Sequence, residues 1–311
     1  MGIARAHGAR GAFVSNWVID KTMMTVQSGS DLMQRVFPWD AATQSSSSTP
    51  ASAVSAFYNA ATGLGTLERL YMHGEEGGAT GYQLASVVTG PDAGKTYVLG
   101  KFNLSTNGSG MSGIGAWENA LANPYAQDKT VVIGTSDGGT GIMTNALAVY
   151  VGTKQSSGTE AEKAGLMNGV LKFVRVTGNP VEVVNSSTCA TNITSGSRFS
   201  RSDASTTFSR PEDGAWNPRN LSQFYFVTTD QLDQATDGVG AQNGRTRLWR
   251  LTFDDITAPA LGGKIDLLID GRVVLKSRSE LSVEPVAPRS GSEADEFTRS
   301  PRIRAASAWH K

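Results

Sequence analysis

The chain has 311 residues, with 28 Lys and Arg balanced by 28 Asp and Glu, so its formal charge is zero. That balance excludes nucleic-acid binding through bulk charge, which needs a basic surplus. A single Cys, Cys189, excludes a disulfide framework within the chain, and no apolar run approaches the ~18 residues of a membrane span.

In chain order, Met1–Asp20 lacks the apolar core and small-residue cleavage site of a secretory signal, so the sequence by itself predicts a cytoplasmic address. Ala12–Ile19 alternates like a strand, and a chain that begins inside a strand is compatible with a lost leader. Residues 41–56, with the low-complexity run Ser45–Ala56, read as a flexible loop. Thr66–Met72 reads as a strand. Pro91-Asp92-Ala93-Gly94 reads as a turn, Pro fixing φ and Gly supplying a positive φ. Ala116–Asn123 reads as a helix of about two turns. Strands are expected over Lys129–Ile133 and Leu147–Val151, a second short helix over Thr159–Leu166, and further strands over Val170–Val176, Gln223–Thr228, Arg245–Phe253 and Lys264–Ile269.

Clusters rich in Gly, Asn, Asp and Ser separate these segments, as at Asn107–Gly115, Ser136–Gly141 and Thr236–Gly244. The 35 Gly residues therefore have a cause in tight turns between short strands. The predicted class is all-β, many-stranded and antiparallel. A β-propeller is one way to repeat short strands without long exposed edges, although no repeat of about 40 residues is visible. From Arg272 the texture changes: Arg272–Lys311 has eight basic and five acidic residues and loses strand alternation after Val274. The expected organisation is a domain over 1–271 followed by an atypical, disordered tail over 272–311.

Four clusters offer chemistry. In Gly74-Glu75-Glu76-Gly77-Gly78, two adjacent carboxylates in a Gly-rich turn are oxygen ligands able to wrap a hard cation; the plain alternative is a solvated turn. Ser209-Arg210-Pro211-Glu212-Asp213-Gly214 packs Arg, Glu and Asp around a Pro. There Arg210 can face an anion while a carboxylate holds a metal, or the set is a surface salt bridge. Gly134-Thr135-Ser136-Asp137-Gly138 fits the G-x-S-x-G elbow, with Ser136 as nucleophile. The elbow must enter a helix, whereas Gly139-Thr140-Gly141 follows, and a triad needs one of only three His residues, His7, His73 or His310. The competing reading makes Asp137 a metal or structural carboxylate. Finally, Asp230 and Asp254-Asp255 end predicted strands, where carboxylates can gather at one mouth of a β fold or serve as ordinary polar ends. Gly90–Thr96 has the composition of a phosphate loop but not its spacing.

Several stretches together resemble the PhoX-type alkaline phosphatases and phytase-like β-propeller proteins of bacteria: Ala6–Asp20, Ala56–Gly78, Val131–Gly139, Leu147–Lys154, Lys163–Val176, Ser209–Asn220 and Gly244–Ile256. The resemblance implies a six-bladed type of propeller, a periplasmic or secreted address, and hydrolysis of a small phosphoester with calcium and iron; a monomer is expected. Carried over by position, it makes Glu75, Glu76 and Glu212 metal ligands, Arg210 the phosphate-facing cation, and Asp137 an acidic group at a strand end. The family's iron-ligand Cys has no match, because that region is Ser45–Ser48 here, so calcium is the cation implied. After Gly262–Gly271 the pattern stops, which implies a carboxyl end cut short or out of frame and a propeller incomplete there. Three functions are thus expected in competition: a calcium-dependent phosphoester hydrolase, a serine carboxylesterase using Ser136, and a non-catalytic calcium-binding propeller protein.

Overall fold

A computed structural model describes residues 15–31, 35–37, 56–75, 81–102, 117–137, 145–185, 190–229 and 246–270. Glu76, Cys189, Asp230, His7, His310, most of the 41–56 loop and the 272–311 tail lie outside these residues. Within them the all-β expectation holds: twenty strands accompany one helix of four residues and two short 3-10 turns.

Ten strands form one antiparallel sheet. Its backbone-bonded path runs from β17 (Pro211–Trp216) through β18 (Gln223–Thr228), β19 (Arg247–Phe253), β20 (Gly263–Asp270), β15 (Ser197–Ser202), β12 (Val170–Val176) and β11 (Asn145–Thr153) to β10 (Lys129–Ser136) and β9 (Trp117–Ala122). The two-residue strand β16 (Thr207–Phe208) pairs with the start of β11. The sheet curls until it is nearly closed, in keeping with a propeller-like, all-β fold. Its two end strands meet through side chains rather than a ladder. Trp216 Nε1 donates to Leu121 O at 2.9 Å, Asn119 Nδ2 to Asp213 Oδ1 at 2.9 Å, and Asn123 Nδ2 to Leu221 O at 2.7 Å.

The sequence 117–122 had the composition of a helix, yet it is strand β9. Ala and Leu favour helix only weakly, and pairing with β10 overrides that preference. The expected helix over Thr159–Leu166 shortens to α1 (Glu160–Lys163). A reciprocal capping box starts it, with Thr159 Oγ1 accepting from Glu162 N–H and Glu162 Oε2 accepting from Thr159 N–H.

Side-chain alternation splits the core in two. Val131, Ile133, Leu147, Val149, Val174 and Val176 face the inside of the curled sheet, where Phe199, Phe208, Phe224, Phe226, Trp249 and Phe253 fill the space. Several of these rings meet edge to face, as do Phe208 and Phe226 at 5.4 Å. Apolar side chains thus fill the inside of the curled sheet among the described residues. On the outer face, Val132, Ala146, Ala148, Tyr150 and Phe173 pack against a second sheet. With both faces covered, β10 and β11 read as continuous apolar runs rather than alternating ones.

That second sheet has the order β3 (Arg35–Phe37), β8 (Lys95–Val98), β7 (Gln83–Val87), β6 (Leu70–Gly74). The Pro91–Gly94 turn joins β7 to β8 as expected. Gly94, at φ +88°, donates to Val87 O at 2.9 Å, a conformation that a side chain would oppose. Among the described residues, the hairpin of β1 (Ser15–Asp20) and β2 (Thr25–Asp31) pairs only with itself and exposes Trp17, Val18, Ile19, Met23, Met24 and Val26. The remaining pairs are short: β4 (Tyr58–Asn59) with β5 (Leu64–Gly65), and β13 (Val183–Asn185) with β14 (Ala190–Thr191).

Candidate functional site

The start of β9, the end of β10, the start of β17 and the end of β18 reach the same rim of the curled sheet, because neighbouring strands are antiparallel. Two β-bulges shape this rim. On β9, Trp117 and Asn119 face consecutive residues Ser136 and Thr135, so Glu118 is the extra residue. On β17, Pro211 and Gly214 face Thr228 and Phe226, which leaves one extra residue within Glu212-Asp213. A bulge re-aims side chains that strict alternation would send to opposite faces.

The result is a cluster of Glu118, Asp137 and Glu212. One carboxylate oxygen from each lies within 4.8 Å of the other two. Arg210 sits among them. Its Nε donates to Asp137 Oδ1 at 2.9 Å and its Nη2 to Asp137 Oδ2, a two-pronged pairing. Nη2 also lies 2.9 Å from Glu212 Oε1, and Nη1 donates to Thr229 Oγ1 at 3.2 Å. Thr229 Oγ1 in turn donates to Glu212 Oε1. The side chains of Asp137, Arg210 and Glu212 are 12%, 18% and 20% exposed, so the cluster is sheltered but reachable from solvent.

The electrostatics follow from this shelter. Burial raises the pKa of Glu212 above the usual carboxylate range; Thr229 and Arg210 oppose the shift, and the charges of Asp137 and Asp213 add to it. Burial alone would lower the pKa of Arg210, but its hydrogen bond to Asp137 and the charges of Glu212, Asp137 and Glu118 outweigh that and raise it. Three carboxylates lie around one guanidinium, Asp137 and Glu212 paired with it and Glu118 acting on it through charge. Carboxylates provide several lone-pair sites each, so pairing with Arg210 does not exhaust them.

Arg210 also has an unusual backbone, with φ +51°. Such strain in a non-Gly residue persists where the surroundings over-determine it. Here Pro211 follows directly, Arg210 O accepts from Thr229 N–H at 3.1 Å, and the preceding Ser209 N–H donates to Glu182 Oε2 at 2.8 Å. Glu182 is fully buried. It also accepts from Thr228 Oγ1 at 2.8 Å and pairs with the fully buried Arg247, Nη1 to Oε1, at 3.0 Å. Arg247 Nε lies 3.8 Å from Asp270 Oδ1. An inner charged layer thus lies behind the rim cluster and holds the turn that carries Arg210.

Of the residues expected from sequence, Arg210, Glu212 and Asp137 come together. Glu75 does not join them: its side chain is exposed, and Oε2 accepts from Tyr82 N–H at 3.1 Å. Glu75 O does accept from Trp117 N–H at 3.2 Å, which brings the end of β6 beside the start of β9. Ser136 is fully buried, and its Oγ has no hydrogen-bond partner. His73, the only His among the described residues, contacts Ser86 Oγ through Nε2 at 3.0 Å. Burial lowers its pKa to about 4, so it is neutral at pH 7 and part of the packing of β6. Asp254 pairs with Arg198 and Asp255 caps Thr257, both at the end of β19 away from the cluster. Glu118 is the member that sequence reasoning missed, because Ala116–Asn123 was expected to be a helix. No family model, curated protein or solved structure matches this chain.

Proposed function

We propose that the rim cluster binds calcium and that the protein is a calcium-dependent hydrolase of small phosphoesters. The observation that carries this reading is the convergence of Glu118, Asp137 and Glu212 on one another, with Arg210 paired to Asp137 and Glu212. The donor set fits the cation: all three groups offer hard carboxylate oxygens, with no sulfur or nitrogen among them. Bound there, calcium would supply Lewis-acid polarisation of a phosphoryl oxygen. Arg210 would meet the phosphoryl group with its planar donor fork and stabilise charge on the equatorial oxygens. Glu118, Asp137 and Glu212 would hold the cation and fix its distance from Arg210. The buried Glu182–Arg247 pair would keep the Arg210 turn in place. The resemblance adds a periplasmic or secreted address to the same proposal, which also takes the protein to be a monomer.

A second reading has its own support. Arg210 is already engaged by Asp137, Glu212 and Thr229, which suits a structural calcium site without turnover. Assay of p-nitrophenyl phosphate with and without EDTA separates the two. The enzyme reading expects hydrolysis that EDTA and Glu212→Gln both abolish. Calcium-dependent stabilisation with no hydrolysis selects the structural reading, and hydrolysis that survives EDTA contradicts both.

A further inference from the structure

A second feature lies on the other face of the same strand ends. Among the described residues, four buried side-chain atoms there have no hydrogen-bond partner: Gln83 Oε1, Gln83 Nε2, Trp117 Nε1 and Ser136 Oγ. Gln83 and Ser136 are fully buried and Trp117 is 1% exposed. Native proteins rarely leave such groups unsatisfied, and each one costs stability.

The register shows that the three side chains converge. Ser136 is paired with Trp117 across β9 and β10, and paired residues share a face of the sheet. Gly74 is paired with Gln83 across β6 and β7. A Cβ on Gly74 would lie 2.3 Å from Trp117 Cβ and 2.8 Å from Gln83 Nε2, so both side chains crowd over this glycine. The benzo edge of Trp117 rests on Gly134, where a Cβ would lie 2.6 Å from Cζ3. The opposite edge, carrying Nε1, is turned away from Gly134. Nearby polar side chains on β6–β8 are paired with one another, His73 with Ser86 at 3.0 Å and Ser86 with Thr96 at 2.7 Å.

We infer that Gln83, Trp117 and Ser136 form an internal water-binding site that ties β7 of the second sheet to β9 and β10 of the first. The chemistry selects a small neutral guest. Trp117 Nε1 and Gln83 Nε2 only donate, Gln83 Oε1 only accepts, and Ser136 Oγ does either. Water supplies both functions, and ordered internal water typically makes about three such bonds. Ser136 and Trp117 directly adjoin Asp137 and Glu118 in sequence, so the site also steadies the strand ends that carry two carboxylates of the cluster. The inference is independent of the function proposed above.

Two measurements on the full chain test it. High-resolution crystal diffraction is expected to show water within hydrogen-bond distance of Trp117 Nε1 and Gln83. Gln83→Met, close in shape but apolar, is expected to lower the melting midpoint by roughly 2–4 °C, because it strips bonds from the water. Ser136→Ala carries the same test with a smaller change of shape, should Gln83→Met fail to fold. A dry interior in the density overturns the inference, and so does a raised midpoint, which is the result expected when a truly unpaired polar group is removed.

Discussion

The two charged layers at one end of the curled sheet are built from the same residue types but differ in closure. In the inner layer Glu182 and Arg247 are fully buried, and the Glu182 carboxylate is engaged by Ser209, Thr228 and Arg247. In the rim layer three carboxylates share one Arg and keep partial access to solvent. A closed ionic network serves geometry, since its members have little capacity left for a ligand. A partly solvent-accessible one is where chemistry is expected. The two are coupled through adjacent pairs of residues, Ser209-Arg210 and Thr228-Thr229, so the inner layer sets the position of the outer one.

The largest effect is expected from breaking the inner layer. Glu182→Ala removes the nearest ion-pair partner given for the buried Arg247, leaving Asp270 at 3.8 Å from Nε, and is expected to cost about 3–5 kcal/mol in chemical denaturation. Glu182→Met combined with Arg247→Met removes both charges and is expected to recover most of that loss. A double variant as unstable as Glu182→Ala would show that the pair stabilises the fold rather than merely avoiding a stranded charge.

Breaking the rim layer should look different. Glu212→Gln is expected to change stability without calcium by less than about 1 kcal/mol, because its carboxylate is partly exposed and Arg210 keeps Asp137. The same variant is expected to lose any rise in melting midpoint on adding calcium. Protons compete with the cation, and burial raises the pKa of Glu212. Calcium affinity should therefore begin to fall on acidification at a pH above the ordinary carboxylate range, as read by titration at a series of pH values.

A third perturbation lies away from both layers. His73 has a folded pKa of about 4, below its ordinary 6.5, so burial of its neutral form contributes stability above pH 6.5. That contribution is expected to be lost progressively as the pH falls from 6.5 to 4, and His73→Gln should flatten this part of the stability profile. The smallest effect is expected on the exposed hairpin. Trp17→Ala should change global stability by about 0.5 kcal/mol or less, because β1 and β2 pair with no other strand among the described residues.

Legibility in the sequence followed burial. Val170–Val176 and Gln223–Thr228 were found with their bounds, because apolar residues mark them along their length. The strands β15, β16 and β17 were not, since Ser197–Ser202 is mostly polar and Pro211–Trp216 opens on Pro with Gly inside. Arg210, Glu212 and Asp137 were legible as charges set beside Pro, Gly and a strand end. What joins them was not legible. A bulge is a property of pairing between two strands and leaves no mark in either alone. Glu118 depends on such a bulge and also sits in a segment whose composition favours helix. The buried pair of Glu182 and Arg247 was hidden for the same reason, since 65 residues separate its members.

The central claim is that Glu118, Asp137 and Glu212 act together as a calcium site. Calorimetric titration of the full chain with calcium chloride at neutral pH, beside Glu118→Gln, tests it most directly. Saturable binding of one calcium by the native chain is expected, and its loss in Glu118→Gln, with the fold retained by circular dichroism. Binding of equal affinity in Glu118→Gln, or no binding to the native chain, would contradict it.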